Sequence, residues 1–194
     1  MENIVSRRLS VHQEHEFLMA LEKAGLTKDA AQAVIESNAI ASQIIALING
    51  DDASQGNFVV ISINPSTPLA RDMRKAGWKL ESNVEYQAGE IALELAEFLK
   101  SGEHYVKGMV LTERAKAMGA NLGQKHAEAL LENQQMISKE WRDYYLVFPG
   151  TVWLHRVARR LVPCLGWIGC EWVLCFSWLD FDFRSFDRVL RPRK

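Results

Sequence analysis

The residues best equipped for chemistry gather in the last quarter of the chain. Trp153, Trp167, Trp172 and Trp178 are interleaved there with Arg156, Arg159, Arg160, Arg184, Arg188, Arg191 and Arg193. Cations beside aromatic rings on a sheet are what single-stranded nucleic acid requires, because phosphates take the charge while bases stack on the rings. The charge distribution points the same way. Residues 151–194 hold eight Lys/Arg against four Asp/Glu, whereas residues 1–150 hold 15 against 20. The same pattern has a plainer meaning: alternating aromatics form the core of a small β unit, and a basic tail docks on its own acidic N-terminal region. A protein or sugar ligand is the remaining alternative. The expected contact set is Trp153, Arg156, Arg159, Arg160, Trp167, Trp172, Arg188 and Arg191, serving another protein or single-stranded nucleic acid.

Three other groups could do chemistry. Asp180 and Asp182 share one face of an extended segment, and with Glu171 they could divide acid and base roles in a small hydrolase. Charge alternation at a sheet edge explains the same residues. Cys164, Cys170 and Cys175 with His155 are spaced x5 and x4 and fall within expected strands rather than the tight turns of structural zinc knuckles, so buried thiols are the expectation. His12 and His15 read as a surface pair. No P-loop, dinucleotide fingerprint, nucleophile elbow or H-E-x-x-H occurs. No cofactor, no metal and no catalytic residue is expected.

The elements that would carry these residues follow from periodicity. Three short helices are expected within residues 1–50, over 14–24, from Thr27, and over 40–48, forming a small bundle. Residues 51–57 (DDASQGN) read as a linker. Residues 58–63 (FVVISI) are β-branched and aromatic, hence a strand, standing alone or paired with 78–81. Thr67-Pro68 signals a helix start, with a helix over 69–76. Residues 83–100 place Val84, Ala88, Ile91, Ala92, Leu95, Phe98 and Leu99 on one broad face, the clearest helical pattern in the chain. Residues 109–133 read as two helices around Gly119. The second of them would show Gln124, His126 and Glu128 to solvent, without phosphate-binding cations, so an αα-hairpin is favoured over a DNA-reading motif.

From Tyr144 the pattern becomes one of strands. A meander of four or five antiparallel strands is expected, with a turn at Pro149-Gly150 and a hairpin connection at Ile168-Gly169. The run 161–179 is almost long enough to span a bilayer, but Glu171 and its Pro/Gly breakers make it a hairpin.

The stretches YYLVFPGTVW (144–153), VPCLGW (162–167), EWVLCFSWL (171–179) and DRVLRPRK (187–194) together resemble a C-terminal module of uncharacterised hypothetical proteins of candidate-phylum bacteria. EFLKSGEHYVKG (97–108), GANLGQKHAEALLENQ (119–134) and the opening 7–37 are similar to segments upstream of that module. The resemblance implies a bacterial origin and brings no activity, cofactor or site residue. LHRVARR (154–160) and Ile168-Gly169 stand where such modules carry Asp/Gly-rich turns.

The whole chain of 194 residues is 48% hydrophobic and 24% charged, with a net charge of −1. That composition excludes a fibrous, disordered or disulfide-scaffold protein. Two arginines near the start lead into no apolar core, and three clustered cysteines fit reduced thiols, so a cytoplasmic setting is expected. The fold class expected is α+β: a small helical bundle (1–50), a linker (51–57), a mostly helical central region (58–142) and an antiparallel β module (143–194). The function expected is non-catalytic binding or scaffolding through the Trp/Arg-rich module.

Overall fold

The computed structural model describes residues 58–193, together with Lys23 and Thr27. Contacts divide the chain into two units, Met1–Asn49 and Gly50–Lys194, and the fold described is that of the second. The helices expected within 1–50, the pair His12 and His15, and the linker 51–57 lie outside the described residues.

The described fold is built mainly of strands, which overturns the α+β expectation of helical regions followed by a small meander. Ten strands occur among the described residues: β1 (Phe58–Ile63), β2 (Lys79–Asn83), β3 (Gly89–Ala96), β4 (Tyr105–Lys107), β5 (Tyr145–Val147), β6 (Thr151–Leu154), β7 (Arg160–Ile168), β8 (Glu171–Trp178), β9 (Asp182–Arg184) and β10 (Asp187–Pro192). Two α-helices accompany them among the described residues, α1 (Gly108–Ala117) and α2 (Gln124–Glu132). Eight strands form one mixed sheet in the order β1-β3-β10-β5-β7-β6-β2, with β8 on the other side of β7. β4 and β9 form a separate two-stranded ribbon.

The largest correction concerns residues 83–100. Ala, Leu and Glu favour helix, and their apolar positions satisfy a helical period. In the fold GEIALELA is β3, paired antiparallel with β1 on one side and with β10 on the other. Leu93 is buried in one core while Ala96 and Phe98 are buried in a second. Ile91, Leu93 and Leu95 do alternate with Glu90, Ala92 and Glu94, but this run is short and the longer helical stripe over 83–100 masks it. The helix expected over 69–76 shrinks to a 3-10 turn, Met73–Ala76, capped by the Asp72 carboxylate rather than by Thr67. β1 holds the expected bounds. It pairs with β3, and the strand at 79–83 pairs with β6.

The tail is not a self-contained meander. β10 pairs in parallel with β5 and antiparallel with β3. Pro149-Gly150 does not reverse the chain: β5 and β6 both pair antiparallel with β7, and the register slips between them. The β7–β8 hairpin turns one residue later than expected, at Gly169-Cys170, with φ of +60° and +92°. Both centre residues being left-handed makes this a type I′ turn, whose twist suits a hairpin.

Two cores flank the sheet. Ile61, Leu93, Leu146, Phe148, Leu165 and Leu190 pack with Leu130 and Ala127 of α2. Val147, Val162 and Val189, from the opposite face, pack with Leu111 and Ala115 of α1 and with Val106 and Phe183 of the ribbon. Neighbours such as Val147 and Phe148 point to opposite cores, as strand alternation requires. α1 and α2 therefore belong to different cores, and the expected αα-hairpin is replaced by a crossing from one face to the other between Ala120 and Leu122. No helix among the described residues is long and apolar enough to cross a membrane.

Candidate binding groove

The polar face of α2 is the first place to look for chemistry, because it is buried. Gln124 is 0% exposed and Glu128 8%. Each group has a partner. The Glu128 carboxylate accepts the backbone N–H groups of Ala70 and Arg71 at 2.9 and 3.0 Å, and the Gln124 side-chain amide at 2.8 Å. The Lys125 ammonium donates to the carbonyls of Asn64, Pro65 and Thr67. Gln124 also accepts the Trp153 indole N–H at 2.7 Å and donates to the Arg71 carbonyl. His126 accepts the Gly123 N–H on Nδ1, and burial pushes its imidazole down to about 4, so it is neutral at pH 7. These bonds fasten loop 64–71 to the helix. With the Lys125 ammonium turned to backbone carbonyls and the Glu128 carboxylate to two backbone N–H groups and the Gln124 amide, the cluster is a structural strap.

The strap also protects a sheet edge. Arg71 Nη1 donates to the Leu174 carbonyl on β8, and the Gln134 side chain accepts the Trp172 N–H. Side chains thus satisfy backbone groups on the side of β8 away from β7, which blunts that edge.

The expected contact residues do not form one surface. Trp153 and Trp172 are core residues, 0% and 4% exposed. Trp167 is half-buried, edge-on to Trp172 at 5.8 Å and beneath the Arg142 guanidinium at 3.8 Å. Arg160 is held by Glu81 at 2.7 Å, Arg188 by Glu97 at 3.0 Å and Arg191 by Glu94 at 2.7 Å. Arg159 grips both oxygens of Asp180, at 2.9 and 2.8 Å, and stacks 4.2 Å from the Trp178 ring. Arg156 is exposed, with its guanidinium lying over Gly77.

The acidic and cysteine groups also disperse. Glu171 sits at the hairpin end of β8, opposite Ile168, away from Asp180. Cys164 and Cys175 face each other across β7 and β8, while Cys170 is exposed at the turn. The neighbouring Cys175 sulfur and burial raise the Cys164 thiol, which keeps it protonated. Among the described residues no group of three His, Cys, Asp or Glu side chains can hold a metal ion.

What the fold does bring together is a groove of about 500 Å³ at the β4–β9 ribbon. Cross-strand pairing sets its floor: Val106 and Phe183 oppose each other and turn into the core, leaving Lys107 and Asp182 opposed on the outer side. Phe181, Phe186 and Tyr145 form an aromatic wall, 55%, 46% and 44% exposed. Tyr145 and Phe186 meet edge to face at 6.4 Å. Three carboxylates line the same groove. Asp180 is held down by Arg159, and Asp182 lies 2.6 Å from the Lys107 ammonium. Asp187 is 7% exposed, accepts the Arg184 N–H at 2.8 Å, and is raised by burial although Arg184 and Arg188 pull the other way. A second depression of about 430 Å³, lined by Met109, Ala158, Arg159 and Leu179, joins it at Lys107 and Asp180. Asp180 and Asp182 are committed to cations, which leaves neither poised to move a proton. The arrangement is suited to contact and recognition.

Sequence reasoning missed this groove. Tyr145 stood in an expected strand, and Tyr105, Phe186 and Asp187 stood in stretches to which periodicity gave no element. The one legible signal was the Asp-Phe-Asp-Phe alternation at 180–183. Comparison of the chain with protein-family models, curated proteins and solved structures finds no match.

Proposed function

We propose that this chain is a non-catalytic binding protein that seats a partner polypeptide in the groove at the β4–β9 ribbon. The observation that carries the reading is the convergence of exposed Phe181, Phe186 and Tyr145 on one groove, with Tyr105 and Met109, 53% and 67% exposed, on the elements beside it. Clustered exposed apolar surface rimmed by polar groups is characteristic of interaction sites, and aromatic residues and Met are enriched there. Single-stranded nucleic acid is the weaker reading, because Arg159, Arg160, Arg188 and Arg191 are each paired with a carboxylate. A cytoplasmic setting accords with the clustered, odd count of cysteines.

The test is selection of a displayed random peptide library on the full chain, with counter-selection on the Phe181→Ala/Phe186→Ala variant. Both rings are exposed, so the variant keeps the core. Peptides that bind the wild type and lose affinity on the variant are expected. Enrichment that ignores both rings overturns the reading, as does tight, salt-dependent binding of single-stranded RNA without peptide enrichment.

A further inference from the structure

Asp187 stands out among the groove carboxylates. Asp180 has Arg159 and Asp182 has Lys107, but Asp187 forms no ion pair among the described residues. It is 93% removed from solvent by its own exposure of 7%, and it lines the groove. One backbone N–H, from Arg184, serves one of its oxygens. A buried carboxylate without its own cation carries a desolvation cost that an incoming cation would offset. The aromatic wall beside it adds a second attraction of the same sign, since ring faces draw ammonium and guanidinium groups. Asp182 lines the same groove with its Oδ1 taken by the Lys107 ammonium at 2.6 Å, so it is open to a second cation only by exchange or sharing. Lys107 itself, 60% exposed along its side chain, shows what the groove accepts, a primary ammonium laid against a carboxylate beside aromatic rings.

We propose that the groove is a cation seat, receiving the ammonium or guanidinium group of a Lys or Arg side chain on the partner polypeptide against Asp182, Asp187 and the rings of Phe181 and Phe186. The inference deepens the binding reading above and rests on it. Lys107 then acts as an internal occupant that the partner's cation displaces or joins.

The full chain is titrated with N-acetyl-arginine amide and N-acetyl-lysine amide, with N-acetyl-citrulline amide as the uncharged control, following backbone amide shifts by NMR. Saturable shifts at residues 180–187 are expected with the two cations, with affinity on the order of millimolar for so small a probe. Asp187→Asn should weaken binding, while Lys107→Ala should strengthen it about two- to fivefold, the size of one exposed cation–ring contact. A gain on Lys107→Ala cannot arise from misfolding. Equal binding of the citrulline probe overturns the cation seat and leaves the peptide-binding reading standing. Absence of shifts with all three probes, or shifts at these residues with an oligothymidylate instead, also overturns it, and peptide selection then decides the broader reading separately.

Discussion

Replacing Glu128 by Gln should release loop 64–71 from α2 while leaving the sheet intact. Glu128 Oε1 serves two donors, Arg71 N and the Gln124 amide, and Oε2 serves one, Ala70 N. A carboxamide has a single oxygen, so it keeps the two-donor position and turns its own NH2 toward the Ala70 N–H. One hydrogen bond to a charged acceptor disappears, at about 1.5–3 kcal/mol, and two others weaken toward neutral values. The loop limits the damage. Ala70 and Arg71 are exposed residues, so their N–H groups find water once the loop lifts. The net loss expected in urea unfolding at pH 7 is therefore about 2 kcal/mol. Amide exchange at Ala70 and Arg71 should accelerate about thirtyfold, the same quantity read locally. Lys125→Met releases the other end of the loop, so the double variant should cost less than the two single changes added. A loss under about 0.5 kcal/mol with unchanged exchange at both amides would refute the strap and the donor count behind it.

Three further outcomes are expected. His126 is held at about 4 against its ordinary 6.5, so the unfolded chain takes the proton first. Its stabilising share is complete above pH 6.5 and is lost as pH falls toward 4, at up to about 1.4 kcal/mol per pH unit. Burial raises Asp187, which works in the opposite sense, so the measurement is the difference between wild type and His126→Asn, whose amide oxygen can still accept the Gly123 N–H; parallel stability curves from pH 7 to 4.5 would remove the His126 assignment. Cys170→Gly relieves a left-handed residue at φ +92° and should add about 1 kcal/mol, raising Tm by roughly 2–4 °C; a lowered Tm would contradict the type I′ turn. Gly108→Ala would bring a Cβ to 2.5 Å from the Leu179 carbonyl oxygen and 2.8 Å from its Cα. Backbone cannot yield as a side-chain tip can, so a loss of about 2 kcal/mol or more is expected by thermal unfolding.

Local chemistry was legible where one face of an element dominates. FVVISI reads as a strand and is β1, because β-branched residues fit a pleated surface whichever partner they meet. The two segments around Gly119 read as helices and are helices. What they pack against was not legible. Gln124, His126 and Glu128 have the composition of a solvated face, yet loop 64–71 bonds to Gln124 and Glu128 and Tyr86 packs on His126, so only contacts between residues 40 to 58 positions apart in sequence make their burial tolerable. GEIALELA shows the converse. Its Ala, Leu and Glu residues favour a helix, and ladders to β1 and β10 on both sides outweigh that preference.

The candidate site divides along the same line. Residue types alone determined that the tail is rich in tryptophan and arginine and that its strands alternate. Tertiary structure decided that Trp153 and Trp172 face the core, that Glu81, Glu94 and Glu97 neutralise the arginines, and that Phe181, Phe186 and Tyr145 meet at one groove. Period and propensity act over a few neighbouring residues and are written in the local sequence. Burial and charge pairing depend on which distant strands lie side by side, and that is settled only when the whole sheet has formed.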